Sequence, residues 1–433
     1  MIIYNPLKRM TVFIILLMMY GLTVAQSARE TDVQEAVLNL SDQNFDSDPI
    51  IALDGVWEFY PKQLLIAVEA LNGANSFVTL PGIWNGTVIN GNESTGVGYG
   101  TYRLRVILPE SVPPLSLEIP NVYSSYKLYI NQELVANNGQ TGQDKASSIP
   151  DWSLETKPLN VEGGQTLDLI LQVSNFHHYR GGVHKSLYLG ERGALNKKRE
   201  LAIIANGLLV GGVLILGAFF ITFFFIRKKD SAVIYFGLFC IIWSIRSMFA
   251  NIYLVNLLFD DMSWTLAIKI EYISLYMAVL FGMLFISKVF SGALHKIFVN
   301  IITVINFLFV FLTMILSPYH FTTLLPIYQL FILANFLLVI VILISAVRRK
   351  RPEVWYSIIG ILLGMGLFIL ELFAYYYELE LSVVFLNLGF LGVFFFNSLV
   401  LAHRFVDAFN TIRRLEREQR FSLSRVEAPI LNR

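Results

Sequence analysis

The sequence predicts a membrane protein of two parts, an all-β jelly roll followed by an all-α bundle of seven transmembrane helices. Composition is the first observation, since 55% of the 433 residues are hydrophobic and 14% are aromatic, more than a water-exposed surface tolerates. The second is a change of pattern. Residues 26–196 carry short alternating segments rich in Gly, Pro, Asn and Asp, whereas residues 197–403 consist of long apolar runs. The fold class is therefore a multi-domain membrane protein.

The amino terminus has the features of a secretion signal. Lys8 and Arg9 precede the apolar stretch Met10–Tyr20, and small residues follow at Thr23-Val24-Ala25. We therefore predict a signal peptide over residues 1–25. An uncleaved anchor helix is the alternative, although this apolar run is shorter than the ~20 residues that cross a bilayer. Either interpretation exports the domain that follows.

Residues 26–196 are predicted to form a periplasmic β-domain. Its candidate strands are short, and turn sequences such as Asn137-Asn138-Gly139 and Glu162-Gly163-Gly164 separate several of them. Short strands at this spacing are typical of a β-sandwich or jelly roll. The candidate strands are Gly55–Tyr60, Gly100–Leu108, Leu115–Ile119, Ser125–Ile130, Thr166–Ser174 and Val183–Leu189.

Seven apolar runs in residues 197–403 are long enough to span a bilayer, and the charges of their loops predict an orientation. Alternate loops are basic, which is typical of the cytoplasmic side, and the loops between them are acidic or lack Lys and Arg. We therefore expect a bacterial inner-membrane protein with its β-domain in the periplasm and its carboxyl terminus in the cytoplasm. The basic loops carry Arg227-Lys228-Lys229, Lys288 with Lys296, and Arg348–Arg351, and the acidic ones carry Asp260-Asp261 and Glu378 with Glu380. The spans are expected at 201–226, 232–250, 266–286, 297–316, 324–346, 354–374 and 382–402.

Residues 404–433 are expected to form a short, basic, amphipathic tail in the cytoplasm. Phe405, Phe409, Ile412 and Leu415 recur at helical spacing, so the seventh helix is expected to continue beyond the bilayer. The tail could pair with a copy of itself as a homodimer, or it could lie as a basic helix on anionic lipid headgroups. We expect no catalytic domain within residues 404–433, because so short a segment could not form one.

Six polar or charged residues fall within the apolar spans, and the predicted orientation puts all of them in the periplasmic third of the bilayer. One interpretation is a water-accessible cavity, continuous with the β-domain, in which a ligand or the domain itself shifts the helices. The alternative is a set of interhelical pairs, such as Arg246 with Glu271, together with side chains that reach toward the interface. This intramembrane polar cluster consists of Asn206, Arg246, Lys269, Glu271, Glu371 and Asn387.

The β-domain contains a second polar constellation, the segment Asn175–Gly182 directly after a predicted strand. Aromatic faces beside amide and guanidinium donors suit sugar recognition, because rings stack on apolar sugar faces while donors meet hydroxyls. A loop that packs against the membrane domain is the alternative. Adjacent histidines point to opposite faces of an extended strand, which argues against a metal site. The candidate ligand-binding residues are Trp84, Asn175, His177, His178 and Arg180, and a core or rim position is the alternative for Trp84.

Composition and motifs exclude several classes of function. The net charge is only +1, which predicts no nucleic-acid partner. Cys240 is the single cysteine, so the chain has no intrachain disulfide and no cysteine-rich zinc cluster. The sequence contains no phosphate-binding glycine loop, no HExxH and no GxSxG element. We therefore predict no catalytic residues, no metal and no cofactor.

Segments in both domains carry a family resemblance. In the membrane part they are Phe239–Arg246, Ile270–Tyr276 and Leu401–Phe405, and in the β-domain they are Leu53–Phe59, Gly100–Leu104 and Asn175–Gly182. They resemble the bacterial seven-transmembrane receptors with diverse intracellular signalling modules (7TMR-DISM) that carry a type 2 extracellular module. That module is similar to the galactose-binding-like jelly rolls of β-galactosidase-like hydrolases, as is Tyr126–Asn131. The resemblance implies a small, carbohydrate-like periplasmic ligand and signalling inside the cell.

Members of this family usually continue into a histidine kinase, a diguanylate cyclase or another output domain, whereas this sequence ends about thirty residues after its seventh span. It is expected either to signal through a separate cytoplasmic protein docked on the tail or to be a truncated or degenerate product. The leading hypothesis is a transmembrane sensory receptor that is not itself an enzyme. The alternatives are a transporter or membrane enzyme that uses the intramembrane polar cluster, and a non-enzymatic membrane scaffold.

Overall fold

The structure is a computed structural model that describes most of residues 36–427. Residues 67–75, 90, 153, 228–229, 251, 260–261 and 350–353 lie outside the described part. The predicted signal peptide also lies outside it, as do the loop residues Asp260 and Asp261.

The amino-terminal part is a sandwich of two β-sheets. The larger sheet has the strand order β11-β10-β13-β8-β3-β4, with β1 paired in parallel to β8, and the smaller has the order β12-β9-β15-β2. Two further pairs, β14 with β5 and β6 with β7, are short. The strands are β1 Val37–Asn39, β2 Ile50–Ala52, β3 Gly55–Pro61, β4 Ser76–Leu80, β5 Gly82–Ile83, β6 Val88–Ile89, β7 Asn92–Glu93, β8 Gly98–Ile107, β9 Leu115–Ile119, β10 Ser125–Ile130, β11 Glu133–Asn138, β12 Glu155–Pro158, β13 Thr166–Asn175, β14 Gly182–Val183 and β15 Tyr188–Glu191.

The two long strands β8 and β13 form the centre of the larger sheet and supply much of the sandwich core. They pair antiparallel, with Leu104 opposite Leu169, and both of these side chains are almost completely buried. Alternate residues of β8 point inward, which is the pattern of a strand with one face on a core. Trp57 fills the same core from β3, and its indole Nε1 donates a hydrogen bond of 2.9 Å to the carbonyl oxygen of Leu53. The β-sandwich predicted from the strand spacing is confirmed.

Five of the six candidate strands are confirmed to within two residues at each end. The sixth prediction, a single strand over Val183–Leu189, is wrong, because this segment forms β14 and β15 with an irregular stretch between them. His184 stacks on Tyr123 and the Ser186 hydroxyl donates to Asp54. The chain passes here from the short β5–β14 pair to the smaller sheet, and an apolar run alone cannot predict such a break.

The carboxy-terminal part is a bundle of helices. Within the described residues, seven helices are long and apolar enough to cross a membrane, as the sequence predicts. They are α1 Arg192–Arg227, α2 Ser231–Met248, α3 Trp264–Val289, α4 Lys296–Ile315, α5 Leu325–Arg348, α6 Val354–Tyr377 and α7 Val383–Glu427, with a short helix Pro318–Thr323 before α5.

The first helix follows the sandwich without a linker, since β15 ends at Glu191 and α1 begins at Arg192. Glu191 accepts hydrogen bonds from the main-chain nitrogens of Gly193 and Ala194, so its carboxylate meets unpaired donors of the first turn. The sandwich therefore lies at the end of the bundle where α1, α3, α5 and α7 begin. The seventh helix continues as far as Glu427, and its described apolar side chains Phe409 and Leu415 are exposed.

Helices α1 and α2 approach closely at two glycines. A Cβ added at Gly217 would meet the Gly237 carbonyl oxygen at 2.9 Å and the Cys240 Cβ at 3.0 Å. Small residues let neighbouring transmembrane helices pack backbone to backbone. Cys240, completely buried at this contact, is therefore a packing residue.

We expect Gly217→Ala to lower the midpoint of thermal unfolding in detergent micelles by several degrees. Overpacking costs ~1–3 kcal/mol, more than the gain of up to ~1 kcal/mol from replacing glycine in a helix. Gly207→Ala on the same helix is the matched control, because a Cβ there meets nothing within 4 Å. A midpoint for Gly217→Ala equal to that of Gly207→Ala would contradict the close contact.

Candidate functional site

A loop of the sandwich that contacts the helix bundle, residues 176–184, follows β13, and we call it the docking loop. Arg180 extends from it to the carboxyl end of α6. Its Nη1 donates 2.7 Å to the carbonyl oxygen of Tyr375, and its Nη2 donates 2.6 Å to the Glu378 carboxylate. The guanidinium carbon also lies 4.0 Å from the centre of the Tyr375 ring. The Arg180 side chain is only 5% exposed and that of Glu378 is 20% exposed, so the guanidinium is buried between the two domains.

Asn175 holds the docking loop in shape. Its Nδ2 donates to the carbonyl oxygens of Gly96, His178 and Arg180, at 2.6, 2.7 and 2.9 Å. Its Oδ1 accepts from the main-chain nitrogens of His177 and His178. The amide is buried and uses both ends for the backbone. Asn175 therefore fixes the backbone conformation of the loop from which Arg180 reaches the bundle.

Two histidines of the docking loop stack on the two sides of one tyrosine. The rings of His178 and His184 lie 4.3 and 4.2 Å from that of Tyr123. The Nδ1 atom of His178 lies 3.1 Å from both the main-chain nitrogen and the carbonyl oxygen of Arg180. Burial lowers the pKa of His178 from 6.5 to about 3, and it also lowers the pKa of His184 well below the ordinary value. Both rings are therefore neutral at neutral pH.

Aromatic contacts extend the junction toward α3. Trp152 of the sandwich meets Trp264 at the start of α3 edge to face, with ring centres 5.5 Å apart, and it lies 5.0 Å from Tyr253. Its carbonyl oxygen accepts a hydrogen bond from Asn256. His177 contacts Trp264 with its ring edge, while its Nε2 lies 3.0 Å from the carbonyl oxygen of Ser148.

A second polar junction lies beside the first helix. The Tyr188 hydroxyl donates a short hydrogen bond to Glu380, and the Lys198 ammonium lies over the Tyr188 ring. Lys198 also pairs with Glu118 of the sandwich at 2.9 Å and with Glu380 at 3.8 Å. The loop between α6 and α7 is thus held by the sandwich through both Glu378 and Glu380.

Trp84 takes the core position that the sequence left as its alternative. It is 5% exposed, and its Nε1 donates to the Tyr102 hydroxyl. Its main-chain nitrogen donates a hydrogen bond to the carbonyl oxygen of Gly181, and this bond connects the docking loop to the sandwich.

A cavity of about 480 Å³ lies below this junction and continues into the bundle. Its roof includes Tyr123, Trp152, His178 and Arg180, and its walls come from the helices. Five of the six residues of the intramembrane polar cluster line it, namely Asn206, Arg246, Glu271, Glu371 and Asn387. The structure therefore brings both polar constellations of the sequence to one cavity.

Lys269 is the exception in the polar cluster. Its ammonium donates 2.8 Å to the carbonyl oxygen of Met314 at the end of α4, on an exposed part of the surface. The expected pair of Arg246 with Glu271 takes a different form, since the guanidinium donates 3.3 Å to the main-chain oxygen of Glu271. Within the part of the chain that the structure describes, no group of three or more His, Cys, Asp or Glu side chains could hold a metal ion.

Several residues of the site were not identified from the sequence. Tyr123, His184 and Trp152 are isolated aromatic residues in irregular segments, and no periodicity marks them. In the sequence, Glu378 and Glu380 were used only to predict the orientation of the helices in the membrane. One feature of the sequence could have predicted the contact between the domains. The loop with Arg180 in the sandwich is basic, and the loop with Glu378 and Glu380 between the last two spans is acidic.

These features define a polytopic membrane protein whose extramembrane β-sandwich is docked into the open end of a seven-helix bundle. The seven-helix domain belongs to the family described as 7TM diverse intracellular signalling, which matches residues 203–404. This family implies a membrane sensory receptor. No curated protein matches the chain.

Solved structures give matches at low identity. A β-glucuronidase from Ruminococcus gnavus in complex with uronic deoxynojirimycin is 12% identical over 33% of this chain and 28% of its own, with a TM-score of 0.26. A GH2 β-galacturonidase from Eisenbergiella tayi bound to galacturonate is 13% identical over 33% of this chain and 24% of its own, with a TM-score of 0.24. The chain thus spans about a quarter of the length of each of these enzymes.

We expect His178 to reduce the stability of the folded protein as the pH falls from about 7 to about 5. His178 has a lower pKa in the folded state than in the unfolded state, so the unfolded state takes up the additional proton below pH 6.5. This linkage removes about 2 kcal/mol at about pH 5. The midpoint of thermal unfolding in micelles, measured across this range, reports the loss.

His178→Phe is the comparison variant, because a phenyl ring keeps the stacking on Tyr123 but cannot take up a proton. Its midpoint should fall less between the two pH values than that of the wild type. Equal slopes would show that His178 is not buried in a neutral form.

Proposed function

We propose that this chain is a transmembrane receptor of a bacterial inner membrane, in which the sandwich senses a small periplasmic molecule and passes a change to the helices. The observation that carries the proposal is the buried Arg180–Glu378 pair, a direct polar link from the sandwich to the loop between α6 and α7. A displaced docking loop breaks this link or moves α6 and α7. Because α7 continues to Glu427, movement at its first turn reaches the opposite end of the molecule.

Signalling of this kind requires two arrangements of the bundle and a ligand that binds one of them better. The junction suits such a change because side chains make its ion pairs, Arg180–Glu378 and Lys198–Glu118, and its aromatic contacts, such as Trp152 with Trp264. In contrast, the cores of the two domains are apolar and closely packed. The two domains can therefore move against each other without either of them unfolding.

The proposed orientation rests on charge. The helix ends farthest from the sandwich carry Lys288, Lys296, Arg348 and Arg349, and basic residues are retained on the cytoplasmic side. The ends beside the sandwich carry Glu378 and Glu380. The sandwich is accordingly proposed to be periplasmic. The tail beyond residue 403, with exposed Arg413, Arg414 and Arg417, is proposed to bind a separate cytoplasmic signalling protein or a second copy.

The carbohydrate-like ligand implied by the family resemblance remains part of the proposal. The donors first assigned to it, Asn175, His178 and Arg180, are already engaged within the protein. A sugar at these residues would therefore have to compete with the docking of the sandwich. The proposed output is a change of shape, with no reaction catalysed by this chain.

We expect Arg180→Gln to change hydrogen exchange at both ends of the molecule. Loss of two hydrogen bonds from a charged donor, each worth ~1.5–3 kcal/mol, should raise amide exchange about tenfold or more in residues 176–184 and 375–380. Coupling predicts that exchange also changes in residues 404–418. Hydrogen exchange with mass spectrometry on the full chain in nanodiscs measures all three segments.

Arg103→Gln is the matched control for this experiment. Arg103 pairs with Glu58 and Asp168 inside the sandwich, at 3.3 and 2.7 Å, and its effect should remain in β3, β8 and β13. If Arg180→Gln raises exchange at the junction but leaves residues 404–418 unchanged, the coupling is wrong and the sandwich only packs on the bundle.

We expect a cysteine at Asp46 to react with a membrane-impermeant maleimide in intact spheroplasts, and a cysteine at Glu416 to react only after the membrane is permeabilised. Both positions are exposed, and Cys240 is buried and serves as an unreactive background. The reverse labelling pattern would overturn the proposed orientation.

A further inference from the structure

The cavity below the junction is lined by charges of both signs, and four of them form no ion pair among the described residues. Arg180 is committed to Glu378, and Glu380 is held by Tyr188 and Lys198. The remaining charged lining residues are the bases Lys185 and Arg246 and the acids Glu271 and Glu371. Among the described residues, no direct ion pair joins these bases to these acids, although Lys185 and Arg246 lie within electrostatic range of Glu271.

Buried amides without partners line the same space. Neither side-chain atom of Asn206 has a hydrogen-bond partner among the described residues, and the same is true of Asn387 Nδ2 and Glu271 Oε2. Asn206 is 1% exposed and Asn387 is 3% exposed. An unsatisfied buried polar group costs ~1–3 kcal/mol, and native proteins retain few of them. These atoms are therefore available to a polar molecule at the level of the charged residues.

Below the polar level, the cavity wall is aromatic. Phe239 and Trp243 of α2 face Phe390 and Phe394 of α7, with ring centres 4.9 Å apart for Phe239 and Phe394 and 4.7 Å apart for Trp243 and Phe390. The cavity continues along α7 from Asn387 to Asn397, about 15 Å at the helical rise of 1.5 Å per residue. Its volume of about 480 Å³ is that of a small-molecule site.

We infer that this cavity is a binding site for a small zwitterion with an apolar body, separate from any sugar site on the sandwich. The anionic group lies between Arg246 and Lys185, the ammonium lies at Glu271 and Glu371, and the apolar body occupies the aromatic chamber below. The side-chain amides of Asn206 and Asn387 form hydrogen bonds with the two charged groups of the zwitterion, which we call its head.

A zwitterion fits this site better than a molecule of one charge. The two free acids and two free bases balance, so a lone cation or anion would satisfy one pair and leave the other buried without a partner. A neutral sugar would meet the amides, but its hydroxyls would not neutralise the four charges, and the aromatic chamber would remain empty. The roof of the site is the docking loop, so the zwitterion would also contact the junction.

The inference rests on the proposed receptor function only for what binding would trigger. Binding itself needs no signalling output and can be measured on the full chain. If the exchange experiment shows no coupling between Arg180 and the tail, the inference about this binding site is unaffected. If the zwitterion does not bind, the proposed coupling is unaffected.

The test compares three probes with the same aromatic body. They are 3-(2-naphthyl)alanine, which carries both charges, 2-(2-naphthyl)ethylamine, which carries only the ammonium, and 3-(2-naphthyl)propionate, which carries only the carboxylate. Each is titrated by calorimetry into the full-length protein in phosphatidylglycerol nanodiscs, whose headgroups contain no ammonium. The zwitterion is expected to bind at least about tenfold more tightly than either singly charged probe.

Variants locate the site. Glu371→Gln and Arg246→Gln are each expected to weaken binding of the zwitterion about tenfold or more, since each removes one charged partner of the head. Lys269→Gln is the matched control, because Lys269 lies on the same helix as Glu271 but faces Met314 outside the cavity. Thermal unfolding of each variant without probe checks that the fold persists. Equal affinity for the three probes, no measurable binding, or a loss of binding in Lys269→Gln equal to that in Glu371→Gln would overturn the inference.

The same titration in nanodiscs that contain phosphatidylethanolamine distinguishes a lipid ligand from a soluble one. Weaker probe binding there would assign the site to a zwitterionic lipid headgroup. Unchanged binding would assign it to a soluble zwitterion such as an amino acid with an apolar side chain.

Discussion

The buried guanidinium of Arg180 is the interaction on which the arrangement of the two domains depends. A charge taken out of water costs several kcal/mol unless it is paired and hydrogen-bonded, and Arg180 meets a carboxylate, a carbonyl oxygen and an aromatic face, all from the bundle. The sandwich alone would leave this side chain without these partners. The cost of separating Arg180 from Glu378 therefore helps to keep the domains together, beside the Lys198–Glu118 pair and the contact of Trp152 with Trp264.

This arrangement also explains the shape of the interior below. The docking loop closes the space above the helices, and polar residues of α1, α2, α3, α6 and α7 line the chamber below it. Deeper in the bundle, aromatic and aliphatic side chains fill the core, and Phe236 is completely buried there. The cavity is therefore polar where the sandwich covers it and apolar deeper in the bundle.

The roles of particular residues were harder to predict than their positions. Arg180 and His178 were expected to meet a ligand because an arginine beside aromatic residues suits sugar binding, but in the structure they meet α6 and Tyr123. Sequence does not distinguish a donor that faces solvent from one that faces another domain, because both need the same chemical group. Glu271 and Arg246 were expected as a side-chain pair, and only a main-chain contact joins them.

The two-part architecture, the seven spans and the long strands were predictable from the amino-acid sequence, because they follow from local hydrophobic periodicity and from the length of a bilayer crossing. Lys269 and Glu271 illustrate what it left undecided. Two residues apart on one helix, they point in different directions, one to α4 and one to the cavity. Which charges line the same cavity, and which loop covers it, became clear from the folded chain, because contacts between distant segments depend on how the helices and the sandwich pack.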